Sequence, residues 1–216
     1  MAISERDHYV DAKTGVLKNK FSITDQAMLD QVESSLVAWR SYELYLDPVE
    51  GGFDFQHMKD IHQRLFQDIY IWAGEVRNTD IMVEKSFFAH FPYIESAGKK
   101  IFDDLAREKH LVGLDEETFS ARAAYYMGEI NALHPFRDGN GRVQREFMRE
   151  LAAKAGYTLD WSQVSEQDMN RAALQSFQGD TDALAKVILY NLEKTPEMPV
   201  ESRRPAMPRR GKSFDF

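Results

Sequence analysis

Along most of this chain, apolar residues recur every three or four positions, a spacing that favours amphipathic helices over strands. The clearest run lies between Met58 and Trp72. Similar patterns predict helices over residues 93–105, 119–130, 142–155, 165–177 and 181–188. Between Val76 and Phe91 the spacing is lost, and short extended segments or a hairpin fit better. The pattern therefore predicts a mainly helical fold in which one stretch forms short extended segments or a hairpin.

Local signals indicate where several of these helices begin and end. Gly156 follows the 142–155 pattern, at the position where a left-handed glycine commonly ends a helix. Ser165, three residues before Asp168, resembles an N-cap. Another helix is expected after Thr24, with four apolar residues on its buried side: Met28, Val32, Leu36 and Trp39.

Length and composition limit the classes of protein to which the chain can belong. A chain of 216 residues, 43% of them hydrophobic and 29% charged, is expected to form one compact domain of a soluble protein. It contains no cysteine, which excludes disulfides, thiolate metal sites and cysteine nucleophiles. There is no apolar run of about 20 residues and no apolar core of a Sec-type export signal. We therefore expect a cytoplasmic protein without a membrane partner.

The C-terminal segment differs in composition from the rest of the chain. Residues 195–216 contain four prolines and two pairs of arginines but almost no periodic apolar residues. We therefore expect a disordered tail after a folded domain over residues 1–194. The five basic and three acidic residues of the tail give it a charge of +2, which leaves −10 on the domain. Such an acidic body argues against a nucleic-acid partner that is bound through its phosphates.

One short segment carries residues suited to phosphate chemistry. Residues 134–142 read His-Pro-Phe-Arg-Asp-Gly-Asn-Gly-Arg. The two glycines, directly before a predicted helix, allow backbone N–H groups and the helix dipole to bind an anion. Arg142 and Arg145 lie in the first turns of that helix, where both can reach one anion. Asp138 offers an oxygen ligand for Mg²⁺, and His134 can exchange a proton near neutral pH. Together these residues indicate a phosphoryl- or nucleotidyl-transfer site.

Each residue of this segment also has a purely structural interpretation when it is taken alone. A histidine after an apolar helix is commonly a helix-end hydrogen-bonding group, and Gly-Asn-Gly is more often a turn than a phosphate loop. Asp138 is compatible with an N-cap. Phe136 is expected to anchor the loop in the core and not to touch substrate. The ordered combination of the residues favours the functional interpretation.

The same segment resembles the signature of the Fic family, HPFx[D/E]GNGRxxR, and matches it at every specified position. Residues 9–20, 72–77 and 88–94 are also similar to segments of Fic proteins, so the resemblance covers roughly residues 9–192. It implies an all-α Fic-type helical domain with a small β-hairpin flap. Fic enzymes mostly transfer AMP from ATP to a hydroxyl side chain of a target protein and release pyrophosphate. The resemblance therefore implies a protein adenylyltransferase.

Roles for individual residues follow from this resemblance. His134 would take the proton from a Tyr, Ser or Thr hydroxyl of the target, and Asp138 would hold Mg²⁺ on the phosphates of ATP. The residues that bind the nucleotide phosphates would be Gly139, Asn140, Gly141, Arg142 and Arg145. A flap that clamps the target by strand addition would include Lys85, Ser86, Phe87 and Phe88. A surface hairpin without a role is the alternative for the flap.

Other activities stay open at this point. The phosphotransferase branch of the family, the Doc toxins, has a lysine where this chain has Gly141, which favours adenylyl transfer here. The loop alone does not exclude transfer of UMP or phosphocholine. The basic tail is compatible with a secreted, host-directed effector. A nucleotide-binding interaction module without catalysis is the alternative from another class, and the presence of His134 argues against it.

Many Fic enzymes are restrained by a helix with the pattern [S/T]xxxE[G/N], whose glutamate pairs with the second-last specified arginine of the signature and displaces the γ-phosphate. The nearest approach in this chain, from Ser162 to Glu166, is followed by Gln167 and is interpreted as a coincidence. We therefore expect a small antitoxin to supply the glutamate in trans. The chain would then be the toxin half of a toxin–antitoxin pair. An unrestrained enzyme is the alternative.

Overall fold

The computed structural model describes residues 7–83 and 86–195, and helices predominate among them. Two short antiparallel strand pairs, β1 with β2 and β3 with β4, accompany the helices. In chain order the elements are α1 (Gln26–Leu46), α2 (Phe55–Phe66), β1 (Met82–Val83), β2 (Ser86–Phe87), α3 (Ile94–Arg107), α4 (Glu116–Leu133), α5 (Asn140–Ala155), β3 (Tyr157–Leu159), α6 (Glu166–Phe177), α7 (Asp182–Tyr190) and β4 (Leu192–Lys194). The predicted all-α class with a small hairpin is confirmed.

Helix α4 lies at the centre of the fold and packs against α3, α5, α6 and α7. Its N-cap is Asp115, whose carboxylate accepts a hydrogen bond from the Thr118 N–H at 2.8 Å. The periodic apolar residues between Phe119 and Ile130 are buried, as their spacing predicts. Since four helices surround α4, its C-terminal end at Leu133 is held firmly at the point where the His-Pro-Phe segment begins.

Helix α2 is shorter than the sequence pattern predicts. It ends at Phe66 instead of continuing to Trp72, although Ile69 and Trp72 are buried as expected. The chain turns after Gln67, and farther along Gly74 adopts a positive φ of 86° and donates its N–H to Nδ1 of His62 in α2, at 2.7 Å. The segment after α2 therefore folds back onto the helix from which it came.

The predicted buried side of α1 is wrong for two of its four residues: Val32 and Leu36 are half-buried, and Leu36 packs against the core. Met28 and Trp39 are 57% and 59% exposed. The residues that α1 buries are Leu29, Val37 and Leu44. Helix α1 has apolar residues on more than one face, so their spacing alone does not determine which face is buried. Helix α1 packs against α2, and the guanidinium of Arg40 pairs with Asp68, just after α2, at 2.6 Å.

The predicted helix boundaries near the C-terminus of the domain are confirmed. Gly156 follows α5 with a φ of 91°, and the Ser165 hydroxyl accepts a hydrogen bond from the Asp168 N–H at 3.0 Å. Strands β3 and β4 then pair, with Tyr157 opposite Lys194. Residues 196–216, nearly all of the predicted tail, lie outside the described residues. Within the described ranges, no helix is both long and apolar enough to cross a membrane.

Candidate active site

The loop between α4 and α5 borders a cavity of about 690 Å³, a volume typical of small-molecule sites. His134 caps α4 in a left-handed conformation, with φ 45° and ψ 63°, and Gly139 precedes α5 with φ 79°. The cavity is lined by Asp7, Asp80, Ile81, Met82, His134, Arg137, Asp138, Gly139, Asn140, Gly141, Arg142, Arg145 and Glu166. All seven loop residues for which the sequence predicts a catalytic, metal or nucleotide role therefore meet at one cavity.

The imidazole of His134 has the geometry of a neutral base. Its Nδ1 lies 3.3 Å from the carbonyl oxygen of Asn131, which can only accept a hydrogen bond. Nδ1 must therefore carry the proton, which leaves the lone pair of Nε2 available. Burial lowers the pKa of His134 to about 4, and the nearby charge of Arg77 acts in the same direction. At neutral pH the ring is accordingly ready to accept a proton.

The side chain of Asn140 braces the loop from within. Its Oδ1 accepts a hydrogen bond from the Phe136 N–H at 2.9 Å, and its Nδ2 donates to the Phe136 carbonyl at 2.8 Å. Both residues are buried, and Phe136 is the core anchor that the sequence predicts. These bonds use the amide oxygen and one of the two N–H groups of Nδ2, so the buried Asn140 side chain serves mainly to support the loop.

His62 holds the loop from the side of α2. Its Nδ1 accepts a hydrogen bond from the Gly74 N–H, so the ring proton is on Nε2, which donates to the Asp138 carbonyl at 3.2 Å. The ring also stacks on Phe136, with centroids 4.0 Å apart. Complete burial lowers the pKa of His62 to about 3 and keeps the ring neutral. Sequence reasoning missed His62, because its contact with Asp138 spans 76 residues.

The two signature arginines have different environments. The Arg142 guanidinium contacts Glu33 of α1 at 2.6 Å and approaches the Asp138 carboxylate at 3.6 Å. Glu33 also accepts a hydrogen bond from the Tyr70 hydroxyl. Within the described part of the chain, Arg145 has no carboxylate within 4 Å, and burial lowers its pKa. A half-buried cation without a close counter-ion at the cavity wall favours an anionic ligand.

Asp138 fits a magnesium ion that is shared with a nucleotide. Its carboxylate lies at the cavity and accepts the Gly139 N–H at 2.5 Å. No group of three or more His, Asp or Glu side chains suited to a metal occurs in the described ranges. Mg²⁺ is commonly bound by one or two carboxylates together with the phosphates of its substrate. The donor set therefore suits Mg²⁺ carried by ATP better than a metal held by the protein alone.

The predicted flap forms the strand pair β1–β2, with Met82 opposite Phe87 and Val83 opposite Ser86. Lys85 lies outside the described residues. Phe88, which directly follows β2, stacks on the imidazole of His134 with centroids 3.8 Å apart and planes 18° apart. The flap is therefore joined to the predicted base by a direct contact, which the sequence did not predict.

Comparison with known proteins agrees with this geometry. The model of the Fic/DOC family matches residues 52–152. The chain is 38% identical over 182 residues to the probable protein adenylyltransferase Fic of Escherichia coli K12, an alignment that covers 84% of this chain and 90% of that protein. The chain belongs to the Fic/DOC family. The predicted family is thereby confirmed.

Other Fic proteins extend the comparison. The protein adenylyltransferase VbhT of Bartonella schoenbuchensis is 51% identical over 186 residues, which cover 86% of this chain and 39% of VbhT. The chain therefore spans well under half the length of that relative. The crystal structure of the BepC protein of Bartonella tribocorum with bound AMPPNP superimposes with a TM-score of 0.81 at 27% identity, over 87% of this chain and 97% of that one. The names of the relatives agree with the predicted enzyme class.

Proposed function

We propose that the chain is a protein adenylyltransferase, which moves AMP from ATP to a Tyr, Ser or Thr hydroxyl of a target protein in the cytoplasm. The observation that carries this proposal is the neutral imidazole of His134 at one cavity with Asp138 and Arg145. The relatives named protein adenylyltransferases support the reaction class. The AMPPNP bound to BepC supports ATP as the nucleotide.

In the proposed reaction, Nε2 of His134 accepts the proton of the target hydroxyl as its oxygen attacks the α-phosphorus of ATP. A bond forms between that oxygen and the α-phosphorus, the bond from the α-phosphorus to the bridging oxygen breaks, and pyrophosphate leaves. The Asn131 carbonyl holds the proton on Nδ1 and so keeps Nε2 as the base. Arg142 and Arg145, with the backbone around Gly139 and Gly141, stabilise the negative charge of the phosphates.

Asp138 would hold Mg²⁺ on the nucleotide phosphates. When bound, the ion would neutralise phosphate charge. The Asp138 carbonyl accepts a hydrogen bond from His62, whose Nδ1 is occupied by the Gly74 N–H. This arrangement holds the backbone of Asp138 in place before any ion arrives. The carboxylate thus needs little reorganisation to serve as a ligand.

Gly141 supports adenylyl transfer over phosphotransfer. A Cβ at this position would meet only the Arg145 guanidinium, at 3.6 Å. A lysine side chain starting from the same point would add a further cation beside Arg142 and Arg145 and change which phosphates this part of the cavity prefers. The glycine adds no charge beyond those two arginines.

We propose further that a small partner protein restrains the enzyme by supplying a glutamate to the signature arginines, as in a toxin–antitoxin pair. Arg142 is already paired with Glu33 of α1, so the partner's glutamate would meet Arg145, which has no carboxylate within 4 Å among the described residues. Glu166 lines the same cavity, so the test includes Glu166→Gln. Co-expression with the partner should suppress toxicity, and replacement of the partner's glutamate by glycine should restore it. A rise in activity with Glu166→Gln alone would instead indicate an internal restraint.

The proposed reaction is tested with Mg²⁺, a bacterial lysate and ATP labelled at the α- or the γ-phosphate. The α label alone should enter a protein band, and His134→Ala should abolish this transfer while ATP binding is kept. His110→Ala is the matched control, because His110 does not line the cavity. Transfer of the γ label would indicate a phosphotransferase. ATP binding without transfer of either label, in lysates that contain the target, would favour the interaction module.

A further inference from the structure

Arg77 is a buried cation outside the cavity. It is 1% exposed and is the largest fully buried side chain of the described residues. The carboxylate of Asp80 is 3.9 Å away, too far for a hydrogen bond. A buried cation is costly unless hydrogen bonds compensate for the water that it loses. The hydrogen-bond partners of the Arg77 guanidinium therefore indicate which parts of the fold this buried cation stabilises.

Those groups are backbone carbonyls from two separate parts of the chain. The Arg77 guanidinium donates to the carbonyls of Thr79 at 2.7 Å, Ala89 at 2.6 Å and His134 at 2.8 Å. Its own backbone N–H donates to the Pro135 carbonyl at 2.9 Å. Thr79 comes shortly before β1, whereas Ala89 comes shortly after β2. One guanidinium thus holds both legs of the flap hairpin and the backbone of the proposed base.

The leg at Ala89 is also the leg that carries the aromatic contact with His134. Ala89 donates its N–H to the Ala132 carbonyl at 3.1 Å, in the last turn of α4. The neighbouring residue Phe88 stacks on the imidazole at 3.8 Å. A shift of Ala89 would therefore move the Phe88 ring away from the base, and the hairpin would lose its fixed position relative to His134.

We propose that Arg77 is a positioning residue that sets the register between the flap hairpin and His134, so that a target strand aligned on the hairpin presents its hydroxyl to the imidazole. The inference rests on the proposed function for its catalytic consequence, but not for its geometry. Lysine keeps the charge but cannot supply the planar fork that reaches several carbonyls. Misplacement by about 1 Å can lower a rate by about 100-fold. We expect nucleotide binding to change little, because the residues predicted to bind phosphate, 139–145, lie at the start of α5 and accept no hydrogen bond from Arg77, although residues 80–82 of the flap also line the cavity.

The catalytic arm compares Arg77→Lys with Arg122→Lys, measuring the initial rate of α-label transfer into the same lysate band at varied ATP. Arg122 is a suitable control because it also makes a fork of hydrogen bonds, to Glu108, but outside the cavity lining. We expect a 10- to 100-fold lower maximal rate for Arg77→Lys, roughly in line with the cost of misplacement. The apparent KM for ATP should not change, and Arg122→Lys should transfer normally. Wild-type rates in Arg77→Lys would overturn the proposal.

The second arm does not depend on transfer and so separates this inference from the proposed reaction. The imidazole signals of His134 are assigned in ¹H–¹⁵N spectra by their loss in His134→Ala. Stacking on Phe88 shields the ring protons, so Arg77→Lys should shift these signals downfield, and Arg122→Lys should not. Phe88→Leu, at a half-buried position, should reproduce the shift even if Arg77→Lys fails to fold. Unchanged His134 signals in Phe88→Leu, or in folded Arg77→Lys, would refute the positioning role.

Discussion

Replacing Asn140 by alanine should loosen the catalytic loop and destabilise the whole domain. The change removes the two hydrogen bonds to Phe136 and leaves a buried N–H and a buried carbonyl without partners. Each unsatisfied group costs about 1–3 kcal/mol, so the free energy of unfolding should fall by about 2–6 kcal/mol. A fall of about 3 kcal/mol is a large part of the total stability of a typical domain, about 5–15 kcal/mol.

Urea unfolding followed by circular dichroism measures this loss. With a slope of about 2 kcal/mol per molar urea, a loss of about 3 kcal/mol moves the midpoint down by about 1.5 M. Asn170→Ala, at an exposed position of α6, is the matched control and should stay within about 0.5 kcal/mol of the parent. Equal midpoints for the two variants would refute the argument that the Asn140 amide stabilises the loop.

Three further outcomes are expected. His134 acts as a base only when it is unprotonated, so kcat/KM should stay level as the pH falls from about 8 to about 5 and be halved only near the His134 pKa of about 4. A pH profile with its midpoint near 6.5, the usual pKa of histidine, would contradict the effect of burial. Gly139→Ala should lower the free energy of unfolding, measured by thermal unfolding, by about 2–4 kcal/mol, because the new Cβ would lie 2.3 Å from the Phe66 ring on a left-handed backbone. Gly156→Ala, where the Cβ would meet open space, should cost only about 1 kcal/mol. Deletion of residues 196–216 should leave the rate of α-label transfer unchanged, and a tenfold loss would assign the tail a role in the reaction.

Helices whose buried apolar residues recur at a regular spacing were predictable from the sequence. Helices α4 and α5 bury the periodic residues that their spacing indicates, and the signature residues meet at one cavity because they are close in the chain. Local rules also identified the ends at Gly156 and Ser165, since capping involves residues within one turn.

What sequence reasoning missed depends on contacts between distant residues. Two of the four residues predicted on the buried side of α1, Met28 and Trp39, are exposed, because the packing of α1 depends on contacts with distant residues such as that of Arg40 with Asp68, 28 residues away. Arg77 reaches the His134 carbonyl across 57 residues, and no periodic pattern reports such a contact. The position of Phe88 was predicted within the flap, but its stacking on His134 depends on how the hairpin lies over α4.

The left-handed backbone of His134 has a consequence for how this enzyme can lose its activity in evolution. Apart from glycine, asparagine is among the residues that adopt this conformation most readily. Substitution of His134 by asparagine would thus remove the base without adding backbone strain. A lineage under selection against the activity can therefore silence the reaction while keeping the fold and its nucleotide cavity. A folded pseudoenzyme, still able to compete for the same nucleotide, lies one substitution from the active protein.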